Sequence, residues 1–148
     1  MDKEIHTFSH PAGVESFVFQ FSSKALQWLC GTTTDDDGRK TNNIALFNDL
    51  LVRMALTDGT AQGFHRPLRL SAGQAQYSEE LLSEQWKMGR KRIRRLLDKL
   101  TLLGLIETHR SRVASMMTFP CLLKWETADN GSIAIPSSLK QRESQELQ

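Results

Sequence analysis

The sequence predicts an α+β fold, mostly helical, with an N-terminal extension, two helices joined by a tight turn, and a small antiparallel hairpin after them. Three observations lead there. Ile93, Leu96, Leu97 and Leu100 recur at i, i+3, i+4 and i+7, the stripe of a helix with one buried face. Lys87-Met88-Gly89 interrupts a helical pattern just before it, and two helices around a three-residue turn with glycine have the form of a helix-turn-helix. Beyond Gly104, Leu105-Ile106-Glu107-Thr108-His109 and Ala114 to Phe119 read as strands on either side of the basic turn Arg110-Ser111-Arg112.

Taken in order, residues 1–13 are polar, contain Pro11 and Gly13, and are expected to form a flexible arm. Phe17, Phe19 and Phe21 alternate strictly, which predicts a short strand or extended packing segment. Ser22-Ser23 is placed to cap a short helix through Leu29. Residues 31–40, with three consecutive aspartates and Gly38, read as a polar loop. A calcium loop would need a glutamate six residues after the glycine, where Ile44 stands instead. Thr41-Asn42-Asn43 opens a helix with Leu46, Phe47, Leu50, Leu51, Met54 and Ala55 on one face, ended by Asp58-Gly59.

Residues 59–66 read as loop, and Pro67 to Gln76 as a short strand and turn. Ser78-Glu79-Glu80 suits a helix start by cap and dipole, and that helix buries Leu81, Leu82 and Trp86. The basic helix follows and closes at Gly104, the place for a left-handed C-cap. Pro120 limits the last strand, and Leu122 to Trp125 is expected to pack back on the core. The expected organisation is therefore an arm over 1–13, one domain over 14–125 with its core in 41–125, and a mostly flexible tail over 126–148.

Charge distribution is more informative than the net charge of +2. Between Trp86 and Arg112 stand nine Lys or Arg and two acids, so this stretch carries +7 and the rest of the chain −5. In the basic helix, Lys91 and Arg95 lie opposite the buried stripe, flanked by Arg92, Arg94 and Lys99. Asp98 is the only acid between Lys87 and Lys99, so the helix has little internal charge compensation. A face of one sign is the footprint of a nucleic-acid surface, and a merely solvated helix is the plain alternative.

Other classes find less support. Cys30 and Cys121 sit in apolar company and are expected to be buried thiols, neither a disulfide nor a zinc pair. The four histidines are scattered, so no metal and no cofactor is expected. Asp35-Asp36-Asp37 as a magnesium site for a nuclease is outweighed by a solvated loop. No nucleophile constellation or phosphate loop is found, so the chain is expected not to be an enzyme. Neither a secretory leader nor an apolar run of membrane length is present, and a cytoplasmic setting is expected.

With helix, strand, helix, turn, basic helix, strand, basic turn and strand in order, the chain resembles a winged helix. More narrowly, it resembles the winged-helix domain of replication proteins from phages and mobile elements. The resemblance runs over about residues 41–125 and is carried by Ala45-Leu46-Phe47, Leu70-Ser71-Ala72-Gly73-Gln74, Ser78-Glu79-Glu80-Leu81, Ile93 to Leu100, Gly104-Leu105-Ile106 and Met116-Met117-Thr118. It implies that the basic helix lies in the major groove of duplex DNA and the hairpin serves as a wing. Lys91, Arg92 and Arg95 are then expected to face base edges, with guanine the natural partner of arginine. Lys87, Arg90, Arg94 and Lys99 are expected on phosphates, and Arg110 and Arg112 at the wing tip on a minor groove or phosphate. Ser78 either offers its hydroxyl and the helix amides to a phosphate or simply caps its helix. Three uses stay open: DNA binding in replication or transcription regulation, a winged-helix module docking a replication or repair partner, and binding of structured RNA. A homodimer through Phe17, Phe19, Phe21 and Trp28 is a further possibility, with those aromatics completing the monomer core as the alternative.

Overall fold

A computed structural model describes residues 13–62, 67–111, 114–127 and 133–134. The N-terminal part comprises β1 (Val14–Phe19), α1 (Ser23–Leu29), β2 (Thr32–Thr34), β3 (Lys40–Asn42) and α2 (Asn43–Leu51). It continues through β4 (Gly59–Gln62), β5 (Pro67–Leu70) and β6 (Ala75–Tyr77) to α3 (Glu79–Trp86) and α4 (Arg90–Leu102). The chain then forms β7 (Glu107–Arg110), β8 (Ser115–Thr118), β9 (Leu122–Thr127) and β10 (Ile133–Ala134). Four helices and ten strands among the described residues overturn the expectation of a mostly helical fold. Strand takes about as much of the chain as helix, in small antiparallel sheets ordered β1-β9-β10, β2-β3, β4-β5 and β6-β8-β7.

The missed strands share a physical cause. β2 and β3 are three residues each, too short to develop an alternating pattern, and their pairing of Thr32 with Asn42 and Thr34 with Lys40 spans the aspartate turn read as loop. β4 falls in the stretch 59–66, also read as loop, and pairs with β5 from Gly59↔Leu70 to Gln62↔Pro67. β9 extends the segment expected to pack on the core, and it lies between β1 and β10. Thus Glu126, Thr127, Ile133 and Ala134, placed in the tail by composition, belong to a sheet.

One contiguous core holds the elements together. The predicted stripe of α4 is buried throughout, with Ile93 and Leu100 at 0 % exposure. Leu46, Phe47, Leu50 and Leu51 of α2, Leu82 and Trp86 of α3, and Leu105, Ile106, Met117 and Trp125 face it. Leu81, expected to be buried, is only half-buried. The Trp86 indole plugs this core and donates to Asp49 at 3.2 Å. The alternating phenylalanines join the same core: Phe19 lies 5.9 Å edge-to-face from Phe47, which meets Phe119 at 5.9 Å. Such pairs add about 0.5–1.5 kcal/mol each beyond their buried area.

Ends of elements follow local chemistry where local chemistry is strong. Ser22 caps α1 by accepting from the Ala25 amide at 3.1 Å. Gly104 is left-handed at φ 75°, and the Leu105 amide returns to the Leu100 carbonyl at 3.0 Å. By contrast, α2 stops at Leu51, short of Asp58, because the Ala55 amide and carbonyl are taken by Gln74 and Gly73 across the chain, each at 2.8 Å. Cys121 is buried as expected, whereas Cys30 at the end of α1 is exposed, because the buried face of that helix consists of Ala25 and Leu29. No helix among the described residues is long and apolar enough to cross a membrane.

Candidate nucleic-acid interface

Helix α4 has an unusual start. Its N-cap, Gly89, has no side chain to accept from the first-turn amides, and the first turn holds no acid. It holds Arg90, Lys91 and Arg92 instead, three cations at the positive end of the helix dipole. Local sequence therefore disfavours this N-terminus, and compensation comes from elsewhere. The turn between β2 and β3 docks there: the Asp36 carboxylate accepts from the Gly89 amide at 2.9 Å and from Arg92 at 3.0 Å. The Asp36 amide donates to the Lys87 carbonyl at 2.9 Å, and Arg92 also donates to the Thr34 carbonyl. Asp35 shapes the turn, accepting from the amides of Asp37 and Arg39 at 2.9 Å.

The hairpin is held in this position from behind by Asn43, which is 3 % exposed. Its amide group donates to the Trp28 carbonyl at 2.7 Å and accepts from the Thr33 hydroxyl, while its backbone N–H donates to Gly31 at 2.9 Å. One side chain therefore ties α1, β2 and α2 together.

Between α3 and α4, the left-handed residue is Lys87 at φ 55°, not Gly89, which is at φ −62°. A non-glycine residue in this region costs about 1 kcal/mol. Ser78 serves as the N-cap of α3, accepting from the Leu81 amide at 3.3 Å, which commits its hydroxyl locally. The sheet β6-β8-β7 shares the core with the helix pair through Ala75, Tyr77 and Met117, and within it Ala75 lies opposite Met117 and Arg110 opposite Ser115.

A second carboxylate organises the far flank. Glu79, its side chain 10 % exposed, accepts from Arg94 at 2.7 Å and from Arg110 at 2.5 Å. It thereby bridges the start of α3, the middle of α4 and the end of β7.

These contacts divide the predicted residues into two sets. Arg92, Arg94 and Arg110 are each paired with a carboxylate. Lys87, Arg90, Lys91, Arg95 and Lys99 are exposed and form no ion pair among the described residues. Lys91 and Arg95 share the outward stripe of α4 with Asp98 and Leu102, the latter 89 % exposed. Arg112 lies outside the described residues.

Two grooves flank this stripe. One, of about 520 Å³, runs beside β2 and is lined by Thr32, Thr33, Thr34, Arg92, Arg95 and Lys99. The other, of about 650 Å³, lies toward the β7–β8 hairpin and mixes Arg90, Arg94 and Arg110 with Glu79, Glu80 and Glu84. Three carboxylates make the second flank the poorer place for a polyanion. No group of three or more His, Cys, Asp or Glu among the described residues is placed to hold a metal ion.

Sequence reasoning missed the roles of Asp36, Glu79 and Asn43. The signal available for Asp36 was a mismatch: a cationic helix start with a bare glycine cap needs an acceptor, and the one it finds lies 53 positions upstream, well beyond the nearer Glu79-Glu80 pair. No family model matches the chain, and no curated protein or solved structure matches it.

Proposed function

We propose that the chain binds duplex DNA, with the outward face of α4 entering the major groove and the β7–β8 hairpin acting as a wing. The observation that carries this reading is the exposed stripe of Lys91 and Arg95, with Lys87, Arg90 and Lys99 around it: five cations that form no ion pair among the described residues, against the single carboxylate of Asp98 on the stripe. Elsewhere on the same helix and hairpin, Arg92 pairs with Asp36, and Arg94 and Arg110 share Glu79, so the cations without an ion pair among the described residues are Lys91 and Arg95 on the outward stripe, Lys87 before it, and Arg90 and Lys99 on its two flanks. The order helix α2, the separate β4–β5 hairpin, strand β6, helices α3 and α4, then the β7–β8 hairpin in a sheet ordered β6-β8-β7 supports a winged-helix reading. Base reading then falls to Lys91 and Arg95, and Arg92 moves from the base-reading set to the phosphate-facing flank. An action in replication or transcription regulation of a phage or mobile element rests on the sequence resemblance alone, and a cytoplasmic setting on the sequence's lack of an apolar leader or membrane-length run.

The test is fluorescence anisotropy of a labelled random-sequence duplex titrated with wild type and a Lys91→Ala/Arg95→Ala variant at several salt concentrations. Wild type is expected to bind with a log–log salt slope of about −4.5, from roughly five phosphates at −0.9 each. The variant is expected to bind at least about tenfold more weakly at low salt. Absence of wild-type binding at low salt refutes the reading.

A protein-docking use has one observation in its favour. An apolar furrow of about 420 Å³ runs between β1 and α2, lined by Val14, Phe17, Phe19, Phe21 and Phe47, with Ile44 exposed at 43 %. Retention of partner binding by the Lys91→Ala/Arg95→Ala variant would favour that use.

A further inference from the structure

Four hydrogen bonds join the β2–β3 hairpin to the start of α4 and the turn before it. Gly89 N–H and Arg92 Nη1 donate to the two oxygens of Asp36, the Asp36 N–H donates to Lys87, and Arg92 Nη2 donates to Thr34. An anion held by a helix-start amide and an arginine is the chemistry by which proteins hold a phosphate oxygen. Here the anion is the protein's own carboxylate. We infer that Asp36 is a specificity-determining residue that occupies a phosphate position on α4, so that a duplex displaces it from Arg92 on binding. This rests on the duplex-binding reading and names a term that sets its strength.

Three features distinguish Asp36 from a carboxylate that merely holds the fold. First, its side chain is 55 % exposed and that of Arg92 is 38 % exposed, so the pair lies on the surface and is within reach of an incoming phosphate. Exposed pairs of this kind are weak enough to be exchanged. Glu79 differs: at 10 % exposure between two arginines, it is enclosed and serves to fix α3, α4 and β7 together. Second, Arg92 lines the groove that also holds Arg95 and Lys99, so releasing it adds a third cation to one flank. Third, the turn has its own internal closure through Asp35, so it keeps its shape without the contact of Asp36 to α4.

The consequence is selective. A random duplex offers phosphates alone, and each must compete with Asp36 for Arg92. A site that also satisfies Lys91 and Arg95 gains base contacts that outweigh this competition. Asp36 thus lowers non-specific affinity more than specific affinity, a means of raising discrimination by adding a repulsive group.

The test compares Asp36→Asn and Asp36→Ser with Asp37→Asn in the full chain, each with a thermal melt. Both replacements at 36 keep an oxygen for the Gly89 amide but remove the charge. Asp37→Asn removes the same charge one residue away, where the carboxylate forms no ion pair among the described residues. Anisotropy on a labelled random-sequence duplex at low salt is expected to tighten about three- to tenfold for the variants at 36 and less than about twofold for Asp37→Asn. The gain is expected to vanish when Arg92→Ala is combined with Asp36→Asn. Equal effects at 36 and 37, weaker binding by both variants at 36, or a gain that persists without Arg92 overturns the inference while leaving duplex binding intact. Failure of wild type and all variants to bind duplex overturns the duplex reading itself.

Discussion

Lys87 illustrates how a single residue exposes a conflict between stability and another demand. The turn between α3 and α4 requires one left-handed residue, and a glycine is available two positions away, yet a lysine occupies it. Lys87→Gly is expected to raise stability by about 1 kcal/mol in a urea melt by removing that strain. The same change removes a cation from the edge of the free stripe, so duplex affinity should fall while stability rises. A variant that gains stability with unchanged duplex affinity would remove Lys87 from the interface. The two cysteines diverge in the same residue-level way. Cys30 is exposed, and Cys121 is enclosed with its thiol 3.6 Å from the Leu105 carbonyl. A thiol reagent added to the native protein should therefore label Cys30 first.

At the scale of elements, position is set by a few buried polar groups that the hydrophobic pattern does not reveal. The stripe of α4 fixes which face of the helix is inside, and so which cations point out. It does not say what lies on either flank. Asn43 decides one flank by anchoring the β2–β3 hairpin to α1 and α2. Asn43→Ala leaves the Trp28 carbonyl and the Thr33 hydroxyl without this partner in a partly buried setting, at a cost of about 1 kcal/mol or more. A chemical denaturation curve shifted by less than about 0.5 kcal/mol would mean that the hairpin is held by other contacts.

For the molecule as a whole, the segregation of charge is the dominant property. The stretch from Trp86 to Arg112 carries +7 in a chain of net +2, and folding brings part of the acidic remainder back onto it through Asp36 and Glu79. What remains without a carboxylate partner among the described residues is a smaller set of cations than the linear sequence suggests. Global stability has a separate alkaline limit. Burial pushes the Cys121 thiol up to about 12 from an ordinary 9.0. Between those values the unfolded chain releases a proton that the native state retains, so stability falls as pH rises through this window and is unaffected by this group below it. Wild type should therefore lose stability faster than Cys121→Ala between about pH 9 and pH 11 in denaturation series at fixed ionic strength. Parallel curves for the two proteins would show that the thiol does not contribute.

The sequence by itself determined the elements whose signals are local. The buried stripe of α4, the cap at Ser22, the helix start at Ser78, the left-handed Gly104 and the two strands after it all follow from periodicity or from side-chain-to-backbone bonds spanning three or four residues. It also located the cations and the lack of compensating acids within their own helix. Tertiary structure alone decided the short strands β2, β3, β4 and β10, because pairing with a distant partner stabilises segments too short to carry a period. It also decided which arginines remain free. Asp36 meets Arg92 across 56 positions and Glu79 meets Arg110 across 31. Charge compensation acts through space, and a linear count of neighbours cannot register it.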